Sequence, residues 1–366
     1  MNVTDRADRI IGSLIGGAAG DALGYAVEFM NERSIFHTYS AEGIRSYRTQ
    51  GGRAIISDDT QMTLFTACGL LNAVTDARMN GAQPRVLAAL ADAYLDWYQT
   101  QRLSYKTGKD QLQSTWLRNV PELFVPRAPG NTCLSALSAM SRRDPADRSR
   151  PAANNSKGCG GVMRVAPMAL FDGSADPAAI AKLAAESVAL THGHPLAQMP
   201  AAVMTSVIHR CVFPRRELSF REIVIEAVEE AKAIFSDNPY IDDLDRLLNA
   251  ALTLSRNSSS DLDNIHRLGE GWVGDEALAI ALYCCLKSTD DFDACITVAV
   301  NHKGDSDSTG AVAGNLLGAW LGMDAIGANW TEELELTNVI DELAHDLYDV
   351  NDTAGDPTRT EQWMKK

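Results

Sequence analysis

Glycine recurs at helical spacing near both ends of this chain, and that repetition limits what the chain can become. Gly12, Gly16, Gly17 and Gly20 lie in an early run of small residues, and Gly310, Gly314, Gly318 and Gly322 lie in a late one. Each glycine costs a helix roughly 1 kcal/mol relative to alanine. Glycines four residues apart share one helix face, and a face stripped of side chains lets another backbone come close. Small residues at this spacing also mark paired membrane helices. Here the surroundings are polar, and the nearest approach to a long apolar run, 309–322, contains Asn315. The expectation is therefore a tightly packed helical core, with no membrane span.

The rest of the chain reads at the same period. Leu64, Ala67, Cys68, Leu71 and Val74 define a helix opening at Ser57 or Asp58, and Val86, Leu87, Leu90, Ala93, Tyr94 and Trp97 define another. Further helices are expected at about 133–141, 177–191, 198–211, 219–235, 243–255, 275–287, 291–300, 308–321 and 331–348. Alternating β-branched runs bounded by turn pairs are nearly absent, so the fold class is all-α and no strand is expected. No linker divides the 366 residues. One domain over 1–366 is expected, with a core of about 9–350, one extended loop at 142–157 and a loosely ordered tail after Asn351.

A net charge of −15 argues against nucleic acid and anionic membranes as partners, since both require clustered lysine and arginine. The seven scattered cysteines form no CxxC pair, and the N-terminus is polar, which together suit a reducing cytoplasm better than a secreted disulfide scaffold.

Two acidic motifs carry the chemistry. Ser57-Asp58-Asp59-Thr60 and Asp305-Ser306-Asp307-Ser308 each precede a helical run. Taken alone, each reads most simply as a helix cap, because acids favour helix N-termini. If the two helix starts converge, however, four carboxylates and two hydroxyls face one another. Carboxylates at that density repel unless a divalent cation neutralises them, and an all-oxygen set suits Mg²⁺ or Mn²⁺. The calcium-loop pattern lacks its glycine and distal glutamate.

Three glycine-bearing loops lie between these motifs: Pro129-Gly130-Asn131-Thr132, the stretch 154–164, and Thr191-His192-Gly193-His194. Gly158, Gly160 and Gly161 can bring backbone N–H groups to a phosphate, assisted by Lys157 or Arg164. Neither a Walker A loop nor a GxSxG elbow is present, and His192 and His194 lack the partners of a zinc site.

In order, these motifs resemble the ADP-ribosylglycohydrolase family, which includes the dinitrogenase-reductase-activating glycohydrolases and the ADP-ribosylarginine hydrolases. The resemblance covers about residues 9–323. It adds 16–24 (GGAAGDALG) followed by Glu28, the run 156–167 and the run 301–314 to the motifs above. It implies an all-α, orthogonally packed bundle with a binuclear magnesium centre, manganese being possible. The implied metal ligands are Ser57, Asp58, Asp59, Asp305, Asp307 and Ser308. Serine stands at 57 and 308, where many members have threonine, and keeps the hydroxyl oxygen.

By the same resemblance, Asp59 would serve as general acid/base, with Glu28 as the alternative. Gly130, Asn131, Thr132, Ser156, Gly158, Gly160, Gly161, Met163, Arg164 and His192 would bind the ADP-ribose. The implied activity is removal of ADP-ribose from modified protein, with an acidic mouth favouring an arginine leaving group. Alternatives within the resemblance are ADP-ribosylserine, O-acetyl-ADP-ribose, or an immunity protein that binds an ADP-ribosylating enzyme. The partners expected are thus an ADP-ribosylated protein and ADP-ribose, with an ADP-ribosyltransferase as a further candidate.

Overall fold

The computed structural model describes residues 3–352. Its helices are α1 (Val3–Tyr25), α2 (Glu32–Thr38), α3 (Asp58–Asn80), α4 (Val86–Thr100), α5 (Tyr105–Gly108), α6 (Asn131–Met140), α7 (Pro177–Ala189) and α8 (Pro195–Val212). They continue as α9 (Phe220–Ile234), α10 (Ile241–Leu254), α11 (Asp261–Leu268), α12 (Gly274–Lys287), α13 (Phe292–Val300), α14 (Ser306–Leu321) and α15 (Thr337–Asp352). The all-α expectation is met. The expected loose tail falls in 353–366, outside the described residues.

The two glycine runs meet. α1 and α14 lie antiparallel, backbone against backbone, and a Cβ built at Gly16 would stand 2.5 Å from the Gly314 carbonyl oxygen. Built at Gly20 it would stand 2.0 Å from the Gly310 oxygen, and at Gly318 it would stand 2.0 Å from the Gly12 oxygen. No side chain fits in such a seam, which explains why the sequence accepts the helix-propensity cost. Polar pairing fixes the register: Ser13 Oγ donates to the Asn315 carbonyl at 3.0 Å, and Asn315 Nδ2 donates to the Ser13 carbonyl at 2.7 Å.

Several local details depart from the sequence reading. Thr49–Gln50 and Arg53–Ala54 form a two-residue antiparallel hairpin where no strand was expected. Gly51 and Gly52 supply its left-handed turn, at φ 59° and 79°. Ala54 also bridges to Leu334, so α15 begins six residues later than the expected 331. Helices α2 and α11 were not anticipated; each is short and starts at a polar cap, Asn31 and Ser260 respectively. Among the described residues no helix is long and apolar enough to cross a membrane.

Candidate active site

The first acidic motif begins α3, as its capping residues dictate. Ser57 is the N-cap, and its side chain accepts from the Asp59 N–H at 3.1 Å. A residue the sequence reading passed over holds this turn from outside. Asp21 on α1, fully buried, accepts from the Ser57 N–H at 3.0 Å and the Thr60 N–H at 3.1 Å, and from the Thr60 hydroxyl. It is thus a cap donated by another helix.

The second motif begins α14. Asp305 is its N-cap, and Asp307 Oδ1 accepts from the Ser308 N–H at 3.0 Å. Gly304 precedes it at φ 129°, where a Cβ would press to 2.0 Å from the Glu270 carbonyl. That carbonyl instead accepts from the Asp305 N–H at 2.9 Å.

Because α1 carries Asp21 and packs along α14, the two helix starts come together at one cleft of about 460 Å³. Asp58, Asp59, Asp305, Asp307 and Ser308 line it, together with Glu28. Glu28, Asp305 and Asp307 each offer an oxygen within 4.8 Å of the other two. Ser57 lies behind this surface, fully buried. A larger hollow lies elsewhere, but among the described residues carboxylates do not converge there in this way.

The electrostatics are those of an uncompensated acid cluster. Burial, then repulsion from Asp307 and other carboxylates, pushes Glu28 up to about 10. Burial and Asp307 raise Asp21 to about 7 against the pull of its hydrogen bonds from Thr60 and Ser57. Asp58, Asp59 and Asp305 are all held well above the ordinary carboxylate range, by burial first and Asp307 second. No lysine or arginine figures among the leading influences on any of them. Glu28 Oε2 and Asp59 Oδ2 are buried without a hydrogen-bond partner. Buried carboxylates left orphaned in this way are costly unless a cation meets them, so the residues present fit a divalent metal.

The loops between the motifs close the cleft. Pro129, Gly130, Asn131, Thr132, Gly158, Gly160, Met163 and His192 line it. The Gly130 N–H already donates to Asp58 Oδ2 at 3.2 Å, which ties this loop to the acidic motif. Ala128, just before, takes a left-handed φ of 52°, an unusual conformation for a residue with a Cβ. The Thr132 and Ser156 hydroxyls are paired at 2.9 Å.

Arg164 and Gly161 do not reach the cleft. Gly161 packs under α7, where a Cβ would stand 2.3 Å from Val188 Cγ1. Arg164, expected to help hold a phosphate, is fully buried beneath the loop, its guanidinium over the Tyr94 ring with 4.4 Å to the centroid. Its Nη2 donates to Thr191 Oγ1 at 2.7 Å, and that hydroxyl lies 2.8 Å from His192 Nδ1. Burial and Arg164 together depress His192 to about 3, so the ring is neutral. The Thr191 hydroxyl also reaches the Val188 carbonyl at 3.4 Å, and the Nε2 side of the His192 ring lies beside Gly158 and Gly160. Arg164 thus positions His192 through Thr191. Lys157 pairs with Asp275 at 3.8 Å.

The sequence reading gave no individual role to five residues that line the cleft: Phe29, Ala128, Cys133, Cys159 and Trp272. Phe29 is 75% exposed and Trp272 41%, so both sit at the mouth. An aromatic residue directly after Glu28 was the available signal for the first.

This geometry belongs to a known class of enzyme. Residues 2–357 match the model of the ADP-ribosylglycohydrolase family, and the chain belongs to that family of hydrolases. It is 26% identical to the ADP-ribosyl-dinitrogen reductase glycohydrolase of Rhodospirillum rubrum, over 90% of this chain and 91% of that one. It is 26% identical to ADP-ribosylhydrolase ARH3 of Danio rerio, over 93% and 90%, and 24% identical to ADP-ribosylarginine hydrolase Tri1 of Pseudomonas putida, over 93% and 78%. A solved structure described as an ADP-ribosylglycohydrolase-related protein complex superposes with a TM-score of 0.64, covering 95% of this chain and 99% of that one at 23% identity, and speaks to the fold.

Proposed function

We propose that this chain removes ADP-ribose from modified protein, with arginine as the preferred linkage, and that it does so with two magnesium ions, which manganese can replace. The observation that carries the reading is the pair of buried, partnerless carboxylate oxygens on Glu28 and Asp59, in a cleft where Asp305 and Asp307 also converge. Ser57, Asp58, Asp59, Asp305, Asp307 and Ser308 are the ligands we assign. When bound, the metal supplies Lewis-acid polarisation of a ribose hydroxyl and of water.

The chain's own residues do the rest. Asp59, through Oδ2, takes the proton of the attacking water as oxocarbenium character develops at the ribose carbon; Glu28 is the alternative group for this step. Backbone N–H groups of Asn131, Thr132 and Gly160 face the diphosphate, with the His192 ring beside them. Gly130 contributes by holding Asp58 in place. An acid-lined cleft with aromatic residues at its mouth receives a guanidinium better than a hydroxyl leaving group, and a relative named for ADP-ribosylarginine supports that choice. Because the two halves of the cluster come from opposite ends of the sequence, we take the chain to act as a single unit, in the cytoplasm, where its seven free cysteines stay reduced.

The test is release of ADP-ribose from arginine-modified and serine-modified proteins and from O-acetyl-ADP-ribose, with and without magnesium. Release from the arginine conjugate alone supports the full reading, and release from the others moves the linkage. No release from any, with tight binding to an ADP-ribosyltransferase, replaces the enzyme by a neutralising partner.

A further inference from the structure

Six of the seven cysteines are buried in the core; Cys159 alone is partly exposed, and it lies in the cleft. Its thiol donates to Asp305 Oδ2 at 2.6 Å. Asp305 is among the ligands assigned above, and Ser308, another of them, lines the same cleft. The backbone keeps the sulfur there. The Cys159 N–H donates to the Trp272 carbonyl at 3.3 Å, while the Asp305 N–H donates to the Glu270 carbonyl at 2.9 Å. One short segment, 270–272, therefore positions the thiol and the carboxylate side by side. Asp59, whose Oδ2 is buried and unpartnered, lines the same cleft.

We propose that Cys159 is a sulfur ligand of the metal centre, adjoining Asp305, and that it gives the site affinity for thiophilic divalent ions such as cadmium, zinc and cobalt. Donors on a common tetrahedral zinc ion lie about 2.3 Å away for sulfur and about 2.0–2.2 Å for oxygen, so a sulfur and an oxygen that share it stand roughly 3.5 Å apart. The thiol's hydrogen bond holds Cys159 and Asp305 closer, at 2.6 Å, and an ion that replaces its proton needs them to part by only about 1 Å. Softness decides the preference: carboxylates and hydroxyls suit magnesium and manganese, whereas thiolate selects zinc and its heavier relatives. When the sulfur–metal bond forms, the S–H bond breaks and the proton leaves to solvent. The proposal rests on the metal-binding reading above. It adds that the resident ion can be displaced by a thiophilic one, which would hold Asp305 and the sulfur together.

The experiment titrates metal-stripped full-length protein with cobalt or cadmium alone and follows thiolate-to-metal charge transfer in the ultraviolet, with calorimetry beside it. The wild type should develop the band at stoichiometric metal, and Cys159→Ser and Cys159→Ala should lack it. Cadmium affinity should fall at least about tenfold in both variants, since losing even an outer-shell partner costs that much. Magnesium affinity should change little. Thermal melts of metal-free variants establish that they fold, and Cys159→Ser keeps the shape if Cys159→Ala does not. Cobalt binding without the band, or a band that survives in Cys159→Ser, overturns the proposal while leaving the metal site intact. No binding of cobalt, cadmium or magnesium overturns the metal-binding reading itself.

Discussion

Asp21 on α1 accepts the Ser57 N–H at 3.0 Å, across a gap of 36 residues in sequence. The contact places a carboxylate against the positive end of α3, where free N–H groups and the helix dipole favour negative charge. α1 is at the same time locked to α14 through the glycine seam. One helix thus sets the positions of both acidic helix starts without supplying a proposed ligand.

Asp21→Ala leaves the buried N–H groups of Ser57 and Thr60 without an acceptor. At about 1–3 kcal/mol for each such group, the variant should be less stable by roughly 2–6 kcal/mol in urea unfolding. Asp21→Asn retains an acceptor oxygen and should lose less. Both should bind magnesium more weakly by calorimetry; wild-type affinity in Asp21→Ala would show that α3 needs no outside cap.

The acid cluster gives the metal-free protein an unusual pH dependence. Asp21, Glu28, Asp58, Asp59 and Asp305 all have folded-state values above their unfolded ones, near 4. The folded state therefore binds more protons than the unfolded state, and stability falls as pH rises from about 4 through about 7 for Asp21 and toward about 10 for Glu28. In EDTA the protein should melt higher at pH 5.5 than at pH 8. Added magnesium should raise the melting temperature more at pH 8. Equal metal-induced shifts at both values would contradict the cluster's geometry.

Asp59→Asn keeps the shape of the side chain and removes its capacity to take a proton. We expect kcat to fall about 10²–10⁴-fold, the usual contribution of a general acid or base, with KM changing far less. Activity near wild type would transfer the role to Glu28.

Arg164→Lys separates two roles. A residue beneath the loop, stacked on Tyr94 and bonded to Thr191, should cost about 1–3 kcal/mol of stability when its planar group is lost. A large rise in KM with unchanged stability would instead place Arg164 on the substrate.

Gly314→Ala tests the seam. Its Cβ would stand 2.0 Å from the Gly16 carbonyl oxygen, and backbone cannot swing aside as a side chain can. Overpacking of this kind typically costs about 1–3 kcal/mol, and moving α14 away from α1 also moves Asp305 and Asp307. Urea unfolding and magnesium affinity should decline together.

Periodicity made most of the helices legible, because apolar residues at i, i+3 and i+4 mark a buried face whatever the partner. It did not show α2 or α11, which offer only seven and eight residues and rely on Asn31 and Ser260 to start. The acidic motifs were visible as composition, while their meeting is a property of packing. Asp21 was quoted within a motif but had no assigned task, since its task is to bond backbone 36 residues away. Arg164 misled for a related reason. An arginine in a glycine-rich loop reads as a phosphate ligand, and only Tyr94 and Thr191 reveal that it faces inward. Cys159 was invisible because one thiol among seven carries no spacing.

The seam between Gly16 and Gly314 joins stretches separated by nearly the whole chain. A ribosome adds roughly 5–20 residues each second, so α1 is complete on the order of 15–60 s before the helix that covers it exists. Through that interval its bare glycine face has no native partner, and the nascent chain carries Asp58 and Asp59 without Asp305 and Asp307. The cluster cannot be completed early, and a message cut short before α14 yields a chain with the first motif and nothing to close it.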